Sequence, residues 1–357
     1  MHTREIHFEH HWSRSQAWYW ASLLSPLATF FGLWMGDIAV WTGAALLWVI
    51  LPIAEAFLPK VKKEFPIAAA QSLRWLVAAH VVCQVALVFY FIVWCTQPSI
   101  PTWMFVGAVI SVGSNSGASA MVVAHELMHR TGRWSQLGTY ILLLSCNYTH
   151  YALEHIHIHH RQVGTRHDPA TARASENPYV FVIRCTLGQL YSIWAYAFEK
   201  FRAPAELSQR MLLRTLLVAL VINLVLLSTI AAAFGPIAFY GFVAQSVVSI
   251  FLLNIINYVE HWGLERHPDE KLAARHTWDT DTIVTRLMLF DLGSHSEHHL
   301  RAVTPHHGLC THDKSPKMPI GLFSATVMIL CPPLFKWVMR DHLPDHFDKR
   351  PESLTAA

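Results

Sequence analysis

The amino-acid sequence predicts an all-α, polytopic membrane protein of six transmembrane helices with a histidine-rich site on their cytoplasmic side. Three observations carry this expectation. Hydrophobic residues fill 53% of the 357 positions and charged residues only 14%, against roughly 25% charged in an ordinary soluble domain. Lys and Arg are missing from three long windows, Arg14 to Lys60, Arg74 to Arg130 and Arg214 to Arg266. There are also 24 histidines, nearly as many as the 27 Lys and Arg together. The same composition excludes other classes. Intrinsic disorder needs low hydrophobicity and high net charge. A dispersed balance of +3 gives little to grip a phosphate backbone, so no nucleic-acid partner is expected.

Each Lys- and Arg-free window has room for two spans of about 20 residues and a short turn. The turns are punctuated where two spans would meet: Gly36-Asp37, then Pro98 and Pro101, then Gly235-Pro236. The expected spans are therefore about 17–36, 38–58, 74–95, 103–124, 213–233 and 237–259. With three hairpins every Lys and Arg falls on one side, which the positive-inside rule makes cytoplasmic along with both termini. Residues 1–16 and 341–357 read as cytoplasmic tails around a membrane domain, 17–340. The N-terminus has no short apolar core followed by a small-residue cleavage site, so the first span reads as an uncleaved anchor. Two further apolar stretches, 134–153 and 319–338, are shorter signals. Pro332-Pro333 interrupts the second, which favours a re-entrant or interfacial segment over a seventh span.

The six cysteines (Cys83, Cys95, Cys146, Cys185, Cys310, Cys331) form no C-x-x-C pair. They read as buried free thiols, with no zinc ribbon or rubredoxin-like set among them. The histidines are grouped instead: His125 and His129 in HELMHR, His155, His159 and His160 in EHIHIHH, His261 in NYVEHWGL, and His295, His298 and His299 in HSEHH. Spacings of three and four put side chains on one helix face, and neutral imidazole ligates Fe, Zn, Cu or Ni. One H-x-x-x-H alone is more often a packing feature. Nine histidines in four groups exceed the three or four protein ligands of one zinc and suit two metals. HELMH also fits a zinc protease with Glu126 as base, but that leaves seven histidines unexplained. A metal transporter would place its ligands near mid-membrane, whereas these cluster at one face.

These groups resemble the histidine boxes and the extra histidine motif of integral-membrane non-haem di-iron alkane 1-monooxygenases, within the wider membrane desaturase and hydroxylase superfamily. The likeness continues through TRHDPATAR (165–173), YVFVIR (179–184), HTWDTDTIV (276–284) and SPKMPIGL (315–322), so it covers about 17–340. It implies a six-helix hydroxylase with two irons (a di-iron centre) at the cytoplasmic face of a bacterial inner membrane. The ligands would be His125, His129, His155, His159, His160, His261, His295, His298 and His299. It further implies O2 and a hydrocarbon or other lipophilic substrate, with electrons from a separate rubredoxin or ferredoxin and its NAD(P)H reductase. No dinucleotide motif or iron-binding cysteine set is present in this chain. Met128 in HELMHR, LGSHSEHH and Trp262 depart from the alkane-oxidising pattern, the first toward xylene monooxygenase. Alkyl-aromatic hydroxylation and fatty-acyl desaturation or hydroxylation therefore stand as alternatives.

Metal-bound histidines usually donate their second ring N–H to a carboxylate or carbonyl. Glu126, Glu154, Asp168, Glu260, Glu297, His150 and His276 lie near the boxes in sequence and are the candidates, with His157 beside them. The histidines at 2, 7, 10, 11, 306, 307, 312, 342 and 346 read as solvated surface groups. For the substrate channel, the resemblance points to Leu47 or Trp48 on the second span. Trp34, Trp41, Trp75, Phe89 and Phe91 are further candidate walls, each otherwise facing lipid or core. Arg and Lys within 161–214 would offer a docking face to an acidic donor.

Overall fold

A computed structural model describes residues 16–63, 71–202 and 207–344, with the side chains of 207–210 excluded. The expected tails fall almost wholly outside these residues, as do His2, His7, His10, His11 and His346. The Lys- and Arg-free windows all become helix. A 3-10 stretch, Gln16–Leu23, leads into α1 (Leu24–Met35), and α2 is the continuous run Asp37–Phe57. Next come α3 (Gln71–Trp94) and α4 (Thr102–Met128). After α5 (Arg133–Ser145) the segment 151–162 forms α6, followed by α7 (Pro178–Arg202) and α8 (Leu207–His261). Four short helices finish the order: α9 (Ile283–Met288), α10 (His295–Leu300), α11 (Leu322–Met328) and α12 (Pro332–Met339).

Four of these runs are long and apolar enough to cross a membrane: α2, α3, α4 and the Met211–His261 part of α8. Together with the family described below, they make this a membrane protein. The expected first span, 17–36, differs from a regular helix because its first eight residues are 3-10 and only twelve are α-helical. The expected turns all carry left-handed backbone: Gly36 (φ 71), Asp37 (φ 46), Ser99 (φ 60) and Gly235 (φ 83). Gly235 matters most, because it breaks a 55-residue helix just before Pro236, which cannot donate to the preceding turn. Asn223 and Gln245, on either side of that break, hydrogen bond to Thr149 and to the Ser145 carbonyl. The two halves of α8 therefore fold back against the same neighbour.

Small residues place α4 at the centre. Its membrane window is 89% buried, against 17% for α8. Cβ atoms on Gly113 and Gly117 would lie 2.5 Å from Val248 and 2.9 Å from Leu252, so this G-x-x-x-G lets α4 and α8 touch backbone to backbone. Lipid offers no hydrogen-bond partners, and the polar groups here pair among themselves. Ser25 donates to Asn115, Asn115 to Gln84, Gln84 to Ser116 and Ser145, and Ser116 to Gln245. That chain stitches α1, α3, α4, α5 and α8 together. Because Ser145 meets Gln84 midway along α3, α5 dips into the bundle and α6 leads the chain back toward the histidines. The 319–338 stretch becomes α11 and α12, each too short to span.

All six cysteines are free, but Cys331 is exposed, contrary to the expected burial. Of the aromatic wall candidates, Trp34, Trp75 and Phe89 face outward at 66%, 63% and 58% exposure. Trp41 packs on Gly107 and Phe91 lies in the core.

Candidate metal centre

α4, α6, the end of α8 and α10 deliver all nine expected histidines to one place. They fall into two groups whose ligand atoms lie within 4.8 Å of one another: His125, His129, His155, His160 and His298; and His159, His261, His295 and His299. None of the other described histidines joins either group. In the first, His160 Nε2 sits 2.9 Å from His155 Nε2 and 3.1 Å from His298 Nε2. In the second, His295 Nε2 sits 3.2 Å from His261 Nε2 and 3.0 Å from His299 Nε2. The groups adjoin, with the His160 and His299 rings 4.6 Å apart.

The local fold explains this partition. In α4 and α10, spacings of four stack His125 on His129 and His295 on His299. His155–His159 is a π-helical turn, whose wider i to i+5 repeat puts His155 beside His160 and turns His159 to the other group. α10 is aimed from outside: Asp279 accepts hydrogen bonds from Ser296 N and Oγ, both at 2.8 Å, and pairs with Lys317. Asp279 lies within the HTWDTDTIV stretch, but sequence reasoning assigned it no role.

The donor set fits metal ions. Nitrogens about 2.0–2.1 Å from one metal, at right angles, are about 3 Å apart, which matches the facing Nε2 pairs. His129 Nε2 and His159 Nε2 are buried and have no hydrogen-bond partner. Burial, reinforced by neighbouring imidazoles, pushes His155, His160, His295, His298 and His299 well below the usual histidine range. Burial takes His129 down to about 4. These rings are neutral at pH 7, as ligation requires.

The carboxylate candidates separate. Asp168 Oδ2 meets His159 Nδ1 at 3.0 Å, while Thr171 Oγ1 and Ala170 N also donate to Asp168. Burial alone would raise Asp168, yet His159 holds it below the usual carboxylate range. Arg184 clamps this loop through Glu176 and the Pro169 and Thr171 carbonyls, so that arginine faces inward rather than toward a partner. Glu260 approaches His295 Nδ1 at 3.4 Å. Glu154 is buried with both oxygens unpartnered, and burial, then Asp168, pushes its carboxyl well up. Three others turn away. Glu126 pairs with Arg130 and accepts from His306 N, Glu297 pairs with Arg301, and His276 is tied to Glu270 and Ala273 N. His150 packs on Tyr148 and His157 on Tyr196. His306 is no surface group: it is 3% exposed, between Tyr19 and Phe290.

On the membrane side, a narrow cavity of about 20 Å³ touches His125, His155 and His295 and is otherwise walled by residues such as Met121, Val122, Leu253 and Ile256. Ile256 also lines a second small cavity bounded by Leu47, Trp48, Ala118 and Phe323. The Trp48 indole donates to Ser114 Oγ at 2.7 Å.

Comparison with known proteins agrees with this geometry. The fatty acid desaturase family model matches residues 101–311. Alkane 1-monooxygenase 1 of Pseudomonas aeruginosa is 34% identical over 70% of this chain and 66% of its own length. Alkane 1-monooxygenase 2 of the same organism is 28% identical over 92% of this chain and 94% of its own. The xylene/toluene monooxygenase hydroxylase component XylM of Pseudomonas putida is a more distant relative, 26% identical over 68% of the chain and 66% of its own length. Matched over more than half its length by the desaturase family, and by these relatives over most of the rest, this chain belongs to the fatty acid desaturase family and, within it, to the alkane 1-monooxygenases.

Proposed function

We propose that the chain is a di-iron monooxygenase that hydroxylates a terminal or methyl C–H bond of a hydrocarbon with O2. The observation that carries this reading is the convergence of nine buried or half-buried imidazoles into adjacent groups of five and four. On this reading His125, His129, His155, His160 and His298 hold one iron, and His159, His261, His295 and His299 the other. Bound there, two ferrous irons supply the reduction of O2 and the abstraction of hydrogen from an unactivated C–H bond. The balance is RH + O2 + two electrons + two protons giving ROH + H2O.

The chain's own residues supply everything else. Asp168 holds the Nδ1 proton of His159 and so keeps that ring's Nε2 lone pair free. Glu260 Oε1 stands 3.4 Å from His295 Nδ1, outside hydrogen-bond geometry, and places a buried carboxylate beside that ring. Met121, Val122, Leu253 and Ile256 exclude water from the space beside His125 and His155. A hydrocarbon has no polar handle, so selectivity rests on the shape of the path from there past Ile256 to Leu47 and Trp48. Electrons come from a separate rubredoxin or ferredoxin with its NAD(P)H reductase. The six spans are the 17–36 stretch, α2, α3, α4 and the two halves of α8. Turns free of Lys and Arg at Gly36, Ser99 and Gly235 favour termini and metal centre on the cytoplasmic side of the inner membrane.

The test is membranes containing the protein, supplied with rubredoxin, reductase and NADH under labelled O2, with octane, hexadecane, xylene and a fatty acid offered together. Labelled 1-alkanol as the main product is expected. Labelled methylbenzyl alcohol instead would move the chain to the xylene type, and an unlabelled alkene product would make it a desaturase.

A further inference from the structure

A groove of about 870 Å³, apart from the two small cavities beside the metal centre, runs between α3 and α5. That volume lies within the range of about 300–1,000 Å³ typical of small-ligand sites. Both helices start at the face that carries the histidines and run inward, so the groove has a polar end and an apolar end. From Gln71 to Val82 it follows α3 for about 16 Å, close to the half-thickness of a bilayer's hydrocarbon core, about 15 Å. Its deep walls are Val77, Val81, Val82, Leu137 and Ile141.

The mouth is different. Arg74 is exposed and makes no hydrogen bond or ion pair among the described residues. Arg130 is turned toward Glu126 and the Val303 carbonyl. The N-terminus of α5 has no side-chain cap at Gly132, so its free N–H groups add positive potential. His306, 3% exposed, lines the same mouth with Nδ1 3.4 Å from Glu126 Oε1 and Nε2 unpartnered, and Glu126 itself lines the mouth between His306 and Arg130. Trp75 and Trp134 flank it at 63% and 73% exposure, as indoles do where hydrocarbon meets headgroups.

We infer that this groove binds an anionic phospholipid, its phosphate held between Arg74 and Arg130 at the α5 N-terminus and one acyl chain lying along Val77, Val81 and Ile141. A cationic, donor-rich mouth above an apolar slot of one-leaflet depth complements that molecule and no uncharged hydrocarbon. The inference stands independently of the reaction.

It is tested on the full chain in nanodiscs of mixed phosphatidylcholine and phosphatidylglycerol, with retained lipids counted by native mass spectrometry after detergent exchange. The wild type should keep phosphatidylglycerol well above its bulk share. Arg74→Gln should cut that enrichment about fivefold, the effect of one cation at an anionic surface. Ala78→Trp, which fills the slot from an exposed position, should abolish it, while Arg202→Gln should change nothing. Iron content and thermal midpoint should stay at wild-type values in all three, and Val82→Phe narrows the same slot if Ala78→Trp fails to fold. Retention at the bulk ratio would overturn the inference. So would equal retention by Arg74→Gln and the groove-filling variant, or a groove that holds deuterated hexadecane without preference for the anionic lipid.

Discussion

The two histidine groups share a helix, α10, and almost touch, yet they are built differently. The four-membered group is buried throughout, and buried carboxylates reach it through Asp168 and Glu260. The five-membered group contains half-buried rings, His129 and His160, and meets the narrow cavity through two histidines, His125 and His155, against one, His295, for the four-membered group. Glu126, the residue after His125, is turned toward Arg130 and His306. Outer carboxylates fix tautomer and ring orientation and raise ligand basicity. On the proposed reading, the difference separates a holding site, buried and backed by carboxylates, from a working site that is more open to substrate and to exchange.

The largest expected effect falls on the holding site. His261→Ala should lower activity by at least about 100-fold, the upper end of what an outer partner alone costs, and remove about one iron of the two. Iron per chain and turnover check this against His342→Ala, an exposed histidine outside both groups, which should change neither. Normal iron content in His261→Ala would remove it from the ligand set and break the comparison.

A smaller effect separates the carboxylates. Asp168→Asn should weaken metal retention or activity by about 10–100-fold, whereas Glu126→Gln should leave chelator resistance within about threefold of wild type. Timed iron release to a chelator reads both, and a faster release from Glu126→Gln would reverse the assignment of the two sites.

Acid should distinguish the groups as well. The His129 ring titrates near about 4 in the fold but near about 6.5 when unfolded. Between those values the unfolded chain binds a proton that the folded chain refuses, so stability falls as pH drops through that window and is complete above it. Thermal midpoints of the metal-free protein should decline from pH 6.5 toward 4. Iron should leave in two steps, starting with the half-buried group. A flat midpoint, or loss of both irons in a single step, would remove this distinction.

The smallest change concerns the far end of the path, which meets the working site more than the holding site. Trp48→Ser should extend the product range to longer chains with iron content unchanged, because on the proposed path the indole, held by Ser114, stands at that end. Product profiles unchanged from wild type in both Trp48→Ser and Leu47→Ala would show that neither side chain limits the path.

Much of this was legible because the signals were chemical and local. Lys- and Arg-free windows announce helices that must sit in lipid, and Gly36, Gly235 and Pro236 announce where they turn. Histidine spacing picks out the same nine residues that the fold gathers. The partition was not legible. A spacing of four puts His155 and His159 on one face, and only the π-helical turn, set by packing against the rest of the bundle, assigns them to different groups. The roles of the flanking acids were equally hidden, since Glu126 and Asp168 look alike in sequence and only tertiary neighbours send one to Arg130 and the other to His159. His306 was misjudged for the same reason: the polar stretch around it gives no hint that Tyr19 and Phe290 close over it.

α10 carries one more consequence. Its six residues present His298 to one group and His295 and His299 to the other, and Asp279 pins its first turn from a separate loop. On the proposed reading, a metal held in either group would fix this helix and so align the ligands it supplies to the other. Loading should therefore be cooperative: titrating ferrous iron into metal-free protein should give a sigmoidal uptake with few singly loaded chains. Asp279→Asn, which loosens the pin without touching a ligand, should flatten that curve toward two independent bindings.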